Sequence, residues 1–311
     1  MGNGQWAIGS RNSRIQLPIA HCLIPGFPPM TWKWKLIRAG AFKLDAGAMF
    51  GVVPKPLWSR AVEVDDRNRM LLNTNCLLLE RDGRRVLIET GIGDKSTDKM
   101  RDIYALENRS VRDALRDADC FPNDISTVIV THLHFDHAGG LTTLSDSGDA
   151  VPLFPEAEVV TQRQEWEDAL ANKSTMHSTY LRNHLDPVAD RVRQIAGDGE
   201  ALPGIMVRPV PGHTWGQQAV FFQDAKGRTI VFPGDLMPTM HHVGLTYSMA
   251  YDQLPYENMI QKSAFLQEAC DAGWLVALDH EPGAAVVRVE RGDKPGAYRL
   301  VPLPDDEVGL W

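Results

Sequence analysis

Cysteine is scarce: Cys22, Cys76, Cys120 and Cys270 stand far apart in 311 residues and form no Cys-x-x-Cys pair. That excludes a disulfide framework and a thiolate-rich zinc site, and it suits a reducing compartment. Long apolar runs are missing too, since no stretch approaches the roughly 18 residues of a membrane span. The mildly apolar residues 15–27 are broken by Pro18, His21 and Pro25, which makes a poor signal peptide. Positive charge is in deficit, with 32 Lys and Arg against 40 Asp and Glu and a formal charge of -8. A basic face for nucleic-acid phosphates or an anionic membrane is therefore not expected. What is left is a soluble, cytoplasmic enzyme with a small-molecule substrate, long enough for one large core or two modest ones.

Residues 1–29 mix Gly, Asn, Ser, Arg and Pro without periodicity and read as a flexible N-terminal extension to a catalytic domain over 30–311. Alternating Trp and Lys over 32–37 predicts a half-exposed first strand. Segment 44–55 holds Gly47, Gly51 and Pro54 beside Met49, Phe50, Val52 and Val53. It is a loop too apolar for open solvent, so it packs on the core or lines a pocket. Strands over 70–80 and 85–89 flank an Asp82-Gly83 hairpin turn, and Ser110 is placed to cap a short helix.

Further strands are expected over 124–131, 157–161, 205–210, 219–222, 229–232, 274–278, 285–289 and 297–301. Helices are expected over 162–172 and 256–272, with a polar helical stretch over 174–195. A charged turn, an apolar strand and an acidic or glycine-rich exit occur at 83–91 and again at 227–235. This echo predicts two similar sheet halves packed face to face with helices outside, an α/β fold.

Ligand-type chemistry gathers where the strand over 124–131 runs into His132-Leu133-His134-Phe135-Asp136-His137. Three histidines and an aspartate within six positions have few structural uses. His213, Asp235 and His280 each follow another expected strand, so rigid elements deliver all seven groups to one sheet edge. Imidazole and carboxylate without thiolate favour Zn, Mn, Fe or Co. Seven groups exceed one tetrahedral zinc, whereas two metals sharing a carboxylate leave room for a bridging water. His132 and His134 point to one side of an extended segment, while Asp136 and His137 follow a bend and can serve the second metal.

This run, the following Ala138-Gly139-Gly140, then Gly212-His213-Thr214, Gly234-Asp235 and His280 resemble the ligand signature of the metallo-β-lactamase superfamily in order and separation. The likeness covers about residue 32 to the end. Residues 47–58, Asp235-Leu236-Met237-Pro238-Thr239 and Ala250-Tyr251-Asp252 with Pro255 are most similar to the YtnP-type quorum-quenching lactonases. Those are relatives of the acyl-homoserine lactonases and methyl parathion hydrolases.

The resemblance implies a four-layer αββα sandwich with a metal site at one edge of the two sheets. It implies two divalent metal ions, zinc foremost, with His132, His134 and His213 on the first, Asp136, His137 and His280 on the second, and Asp235 bridging. The implied reaction is hydroxide attack on the ring carbonyl of an acyl-homoserine lactone, with Asp136 or Asp235 passing a proton to the leaving alkoxide. Phosphotriester hydrolysis of the methyl parathion hydrolase kind is the alternative, and an iron oxidoreductase on the same fold comes third. The loop at Met49 and Phe50 is implied to border the pocket and hold an acyl chain. Analogy through this apolar rim also suggests a homodimer.

Two departures stand out. Pro238 occupies the place of a tyrosine found three residues after the bridging aspartate in bacillar acyl-homoserine lactonases, so the oxyanion donor is missing or comes from elsewhere. Thr239, His241 and Tyr247, nearby in sequence, join Met49 and Phe50 as candidate substrate-binding residues. Glu89-Thr90-Gly91 stands where the superfamily often has Asp-Thr-Gly, and Glu89 keeps a carboxylate for a ligand histidine at the reach of one extra methylene.

Overall fold

The computed structural model describes residues 30–309. The extension expected over 1–29 lies outside the described residues. The first strand, Thr31–Asp45, belongs to both halves of the fold. Thr31 and Trp32 pair in parallel with Gln223 and Asp224. From Lys33 onward the same strand pairs antiparallel with Arg69–Arg81.

On one side lie, in order, Arg69–Arg81, Arg84–Ile88, Ile125–Ile129, Glu158–Gln162 and Val192–Ile195. On the other, Gln218–Asp224 leads to Thr229–Phe232, Leu275–Ala277, Val286–Arg291 and Tyr298–Pro302. Strands Ile205–Pro209 and Gly199–Leu202 extend that second sheet in the opposite direction.

A period of two sorts the apolar residues of these strands into layers. Leu77, Leu79, Val86, Ile88 and Ile129 of the first sheet pack against Val220, Phe222, Ile230, Phe232, Leu275 and Ala277 of the second. Their neighbours Cys76, Leu78, Leu87 and Val128 face outward and are covered by helices Val111–Arg116 and Arg163–Leu170. Ala219, Phe221, Val231 and Val276 lie under Phe265, Leu266 and Ala269 of helix Pro255–Ala272. One core between two sheets and one beneath each helical layer make the expected αββα sandwich.

Local signals account for most of the elements. Asp82 and Gly83 both have positive φ, 53° and 75°, as a two-residue hairpin turn requires. The Asp113 carboxylate accepts the Ser110 N–H at 2.9 Å at the start of Val111–Arg116.

Two expectations need correcting. The apolar segment after residue 44 is not loop throughout: it packs on the core as expected, but Ala46–Phe50 forms a short helix whose Ala48 N–H donates to Asp45. The polar stretch over 174–195 is helical only at Arg182–Leu185 and, as a 3-10 turn, at Asp186–Arg191. Pro187 lacks the N–H that a longer helix needs. Val192–Ile195 instead finds backbone partners along Glu158–Gln162, where tertiary pairing overrides the helical pattern.

Helix Pro255–Ala272 carries a lysine with no exposed surface, Lys262, whose ammonium donates to the Tyr247 carbonyl at 2.8 Å. Burial lowers its pKa from 10.5 to about 8, although Asp252 pulls the other way. A folded value below the unfolded one means that stability is lost as pH falls through about 8 and is restored towards 10.5. The chain should therefore gain about 2 kcal/mol over a Lys262→Met variant between pH 7.5 and 10. Urea unfolding of both proteins at the two pH values measures this, and a constant difference would refute it.

Candidate metal centre

The candidate ligands come from both sheets, and each lies just past a strand end. His132, His134, Asp136 and His137 follow Ile125–Ile129 of the first sheet. His213, Asp235 and His280 follow Ile205–Pro209, Thr229–Phe232 and Leu275–Ala277 of the second. Two glycines permit close approach here, Gly234 between the two halves and Gly139 within the first. Gly234 has φ 57°, and a Cβ there would stand 2.7 Å from the Thr131 hydroxyl. Gly139 lies so close to the Ile92 backbone that no side chain fits.

The ligand atoms of His132, His134 and His213 lie within 4.8 Å of one another, and so do those of His137, Asp235, Asp279 and His280. Asp235 joins the two groups. Its Oδ2 is 3.0 Å from His213 Nε2, 3.8 Å from His137 Nε2 and 3.9 Å from His132 Nε2. Its Oδ1 is 3.3 Å from His280 Nε2. Asp136 flanks the second group, with Oδ2 3.6 Å from His280 Nε2 and Oδ1 3.9 Å from His137 Nε2.

Divalent cations fit this crowding. His134 Nδ1 and His213 Nε2 are 2.9 Å apart, and His137 Nε2 and His280 Nε2 are 3.2 Å apart. His132 Nε2 and Asp235 Oδ1 are buried without any hydrogen-bond partner. Buried polar atoms are seldom left so, and lone pairs converging from several imidazoles and a carboxylate match a Zn-type ion. Burial, reinforced by the neighbouring imidazoles, drives His132 and His134 well below the ordinary histidine value. They are thus neutral, the form that ligates. Burial works against an ionised Asp235, but His213 and His280 hold its carboxyl well below the usual range. Burial pushes the Asp279 carboxyl up to about 8 even though His280 opposes it.

The far nitrogens of His132, His137, His213 and His280 are also held, which fixes ring orientation. His213 Nδ1 meets Asp252 at 2.9 Å, and His280 Nδ1 meets the Asn73 carbonyl at 2.8 Å. Thr131 Oγ1 lies 3.1 Å from His132 Nδ1. Glu89 spans two elements: its Oε1 accepts the Thr131 N–H at 2.7 Å, and its Oε2 lies 3.3 Å from His137 Nδ1. A further buried carboxylate, Glu165, accepts from Leu133 N–H at 2.9 Å, Tyr180 O–H at 3.1 Å and Thr214 O–H at 2.6 Å. It thereby ties the loop before His134 to the residue after His213.

A cavity of about 150 Å³ opens at the centre. Its wall includes His134, Asp136, His213, Asp235 and His280, the apolar Leu44, Met49, Phe135, Met176 and Met249, and the phenols Tyr104 and Tyr251. A wider cleft of about 310 Å³ beside Arg101 and Arg109 contains none of the candidate ligands.

Of the residues expected around a substrate, Met49 is on the cavity wall and Phe50, Thr239, His241 and Tyr247 are not. Phe50 is fully buried, stacked on Trp58 at 5.6 Å and on His242 at 5.1 Å, with Tyr247 edge-on at 6.0 Å. The Thr239 hydroxyl meets His242 Nδ1 at 2.8 Å and accepts the His241 N–H, while His242 Nε2 contacts the Met49 carbonyl at 2.9 Å. Phe50, Thr239, Tyr247 and His242 therefore brace the turn that presents Met49. Neighbours on a helical turn point in different directions, which is why Met49 and Phe50 part company.

Sequence reasoning missed Glu165, Met176, Tyr104 and Asp279. The first three had no local signal, since each sits in an ordinary polar or helical stretch. Asp279 had one, because it directly precedes His280.

Comparison with known proteins bears on these observations. A family model described as the Metallo-beta-lactamase superfamily matches residues 69–294. An N-acyl homoserine lactonase from Bacillus thuringiensis is 28% identical over 172 residues. The match covers 51% of this chain and 62% of that protein, less than two thirds of its length. The crystal structure of a probable metal-dependent hydrolase from Staphylococcus aureus aligns with TM-score 0.76 and 29% identity, over 89% of this chain and 100% of that one. AidC, a dizinc quorum-quenching lactonase in complex with a product, aligns with TM-score 0.73 over 89% of this chain and 96% of its own. At 14% identity that likeness is one of fold.

Proposed function

Because the chain belongs to the metallo-β-lactamase superfamily, we propose that it is a dinuclear metal-dependent hydrolase that opens lactone rings, N-acyl-homoserine lactones foremost. The observation that carries this reading is the carboxylate of Asp235, which reaches both groups of ligand atoms where they face a cavity with an apolar wall. The lactonase name of the Bacillus thuringiensis relative supports the substrate class. Zinc suits the imidazole and carboxylate donors best. When bound, two such cations would supply a water of lowered pKa and polarise the ring carbonyl.

The chain's own residues do the rest. Leu44, Met49, Phe135, Met176 and Met249 give an acyl chain an apolar wall and keep bulk water from the carbonyl. Asp136, on the same wall, moves a proton to the alkoxide that leaves when the ring opens. Tyr104 and Tyr251 bring to the cavity the hydroxyl that Pro238 lacks, and Tyr251 is assigned as the donor to the carbonyl oxygen. Residues 30–311 act together as the catalytic domain.

Zinc-loaded protein incubated with acyl-homoserine lactones of graded chain length, beside an aryl phosphotriester, tests the reading. Ring opening across the series is expected, with Tyr251→Phe lowering kcat by about 10²-fold. Phosphotriester turnover with negligible lactone opening would replace the lactone assignment, and an unchanged kcat in the phenylalanine variant would remove Tyr251 from its role.

A further inference from the structure

The cavity beside the candidate ligands is small. Its volume of about 150 Å³ is below the roughly 300 Å³ at which small-molecule pockets begin, and it suits a guest about as large as benzene. A lactone ring with its carbonyl oxygen is already of that size. An acyl chain of more than a few carbons must therefore displace part of the wall. Most of the wall is fixed: Leu44, Met49 and Met249 pack in a cluster with Phe42, Phe50 and Trp58, and Tyr104 stacks on Phe135 at 5.2 Å. The remaining stretch is a strap over 174–179, which brings Ser174, Met176 and Thr179 to the cavity.

Both ends of this strap are pinned. Lys173 pairs with Asp168 at 3.2 Å, and its ammonium lies 3.9 Å from the centre of the Trp215 ring. At the other end the Thr179 carbonyl accepts the Phe135 N–H at 3.0 Å, and the Tyr180 hydroxyl donates to Glu165. Between them Thr175, His177 and Ser178 are exposed and belong to no helix or strand. Asn172, at the base of the strap, donates to the His177 carbonyl at 3.3 Å. Among the described residues, the only side chain from elsewhere in the fold that hydrogen-bonds to this middle is Gln253. Its Oε1 accepts the Thr175 N–H at 3.1 Å, and its Nε2 donates to the Thr175 hydroxyl at 3.3 Å. Gln253 is itself on the cavity wall, and its own N–H donates to the His213 carbonyl at 3.0 Å.

We propose that the pairing of Gln253 with Thr175 is a latch that sets the length of acyl chain the site accepts. Latched, the cavity admits short chains; a long chain enters only when the released strap carries Met176 outward. The inference rests on the lactone reading and adds the determinant of chain length to it. Two neutral hydrogen bonds favour the closed form by about ten-fold, and a ligand that needs the open form binds more weakly by that factor.

Chain-length profiles of the zinc-loaded protein test this. The native chain should open a butanoyl lactone at least about ten-fold better in kcat/KM than a dodecanoyl one. Gln253→Ala removes both bonds and should erase that preference, chiefly by lowering KM for the dodecanoyl substrate. Thr175→Ala, which loses only the hydroxyl bond, should fall between, and it serves if the first variant does not fold. Amide exchange over 174–178 should quicken about ten-fold in Gln253→Ala, which a residue that merely shapes the wall would not cause. A native chain indifferent to length, an unaltered profile in the variants, or unaltered exchange would each overturn the latch. Ring opening at no chain length would instead sink the lactone reading. Calorimetry with butanoate and dodecanoate, which need no turnover, still reads the latch in that event. A short-chain preference lost in Gln253→Ala would sustain it, and equal binding of both acids by the native chain would overturn it.

Discussion

Replacing Asp235 by alanine should release both cations and lower kcat/KM for lactone opening by about 10³-fold or more. The carboxylate faces His132, His137 and His213 through one oxygen and His280 through the other, so it serves both groups. Losing the polarisation that a bound cation provides removes several kcal/mol of transition-state stabilisation, and about 1.4 kcal/mol corresponds to each decade of rate. Asp235→Asn keeps one oxygen acceptor and should fall between the two. Elemental analysis after dialysis, run beside the kinetic assay, separates lost metal from lost chemistry. An alanine variant that retains both cations and its rate would show that Asp235 does not join the two groups.

The largest effect on stability is expected at Glu165. Alanine there strands three buried donors, Leu133 N–H, Tyr180 O–H and Thr214 O–H. Each unpaired donor costs about 1–3 kcal/mol. Part of this is offset by no longer burying a carboxylate whose pKa burial has already raised. A net loss of about 3–5 kcal/mol follows, against a total stability of about 5–15 kcal/mol for an ordinary domain. Glu165→Gln keeps an oxygen for Leu133 and Tyr180 and presents an amide to the Thr214 hydroxyl, so it should cost only about 1 kcal/mol. Urea unfolding in the presence of chelator isolates this effect from metal binding. A loss below about 1 kcal/mol in the alanine variant would mean that the three donors find new partners. Leu133 lies between two candidate ligands and Thr214 follows a third, so weaker metal binding should accompany the lost stability.

The layers of the fold were legible because the pattern at 83–91 recurs at 227–235 and because strands buried on both faces read as unbroken apolar runs: in Cys76 to Leu79, Leu77 and Leu79 face one core, and Cys76 and Leu78 face another. The candidate ligands were legible because the residues that end buried strands sit next to one another in the chain or carry glycine beside them. The rest of the cavity wall, Met49 apart, was not. Met176 and Tyr104 belong to segments far from the histidine run in sequence, and only packing of the two halves brings them to it. The segment over 174–195 misled because its helical periodicity competes with an open sheet edge, and backbone pairing along Glu158–Gln162 wins. Thr239, His241 and Tyr247 misled for a simpler reason, since nearness in sequence to Asp235 does not fix which way a side chain turns.

The strand shared by both sheets has a consequence for how the centre comes into being. Its first two residues belong to one sheet and the remainder to the other, so neither half can drift from its neighbour while that strand is intact. The donors are divided along the same seam, with the histidine run on one side and His213, Asp235, Asp279 and His280 on the other. Neither half alone presents a complete pair of candidate sites: the first group needs the chain from His132 to His213 in place, and the second needs it as far as His280. Closure over so long a stretch of chain is slow, so the complete pair of sites forms late in folding. Cations bound there would act as a clasp across the seam, adding stability to the assembled state.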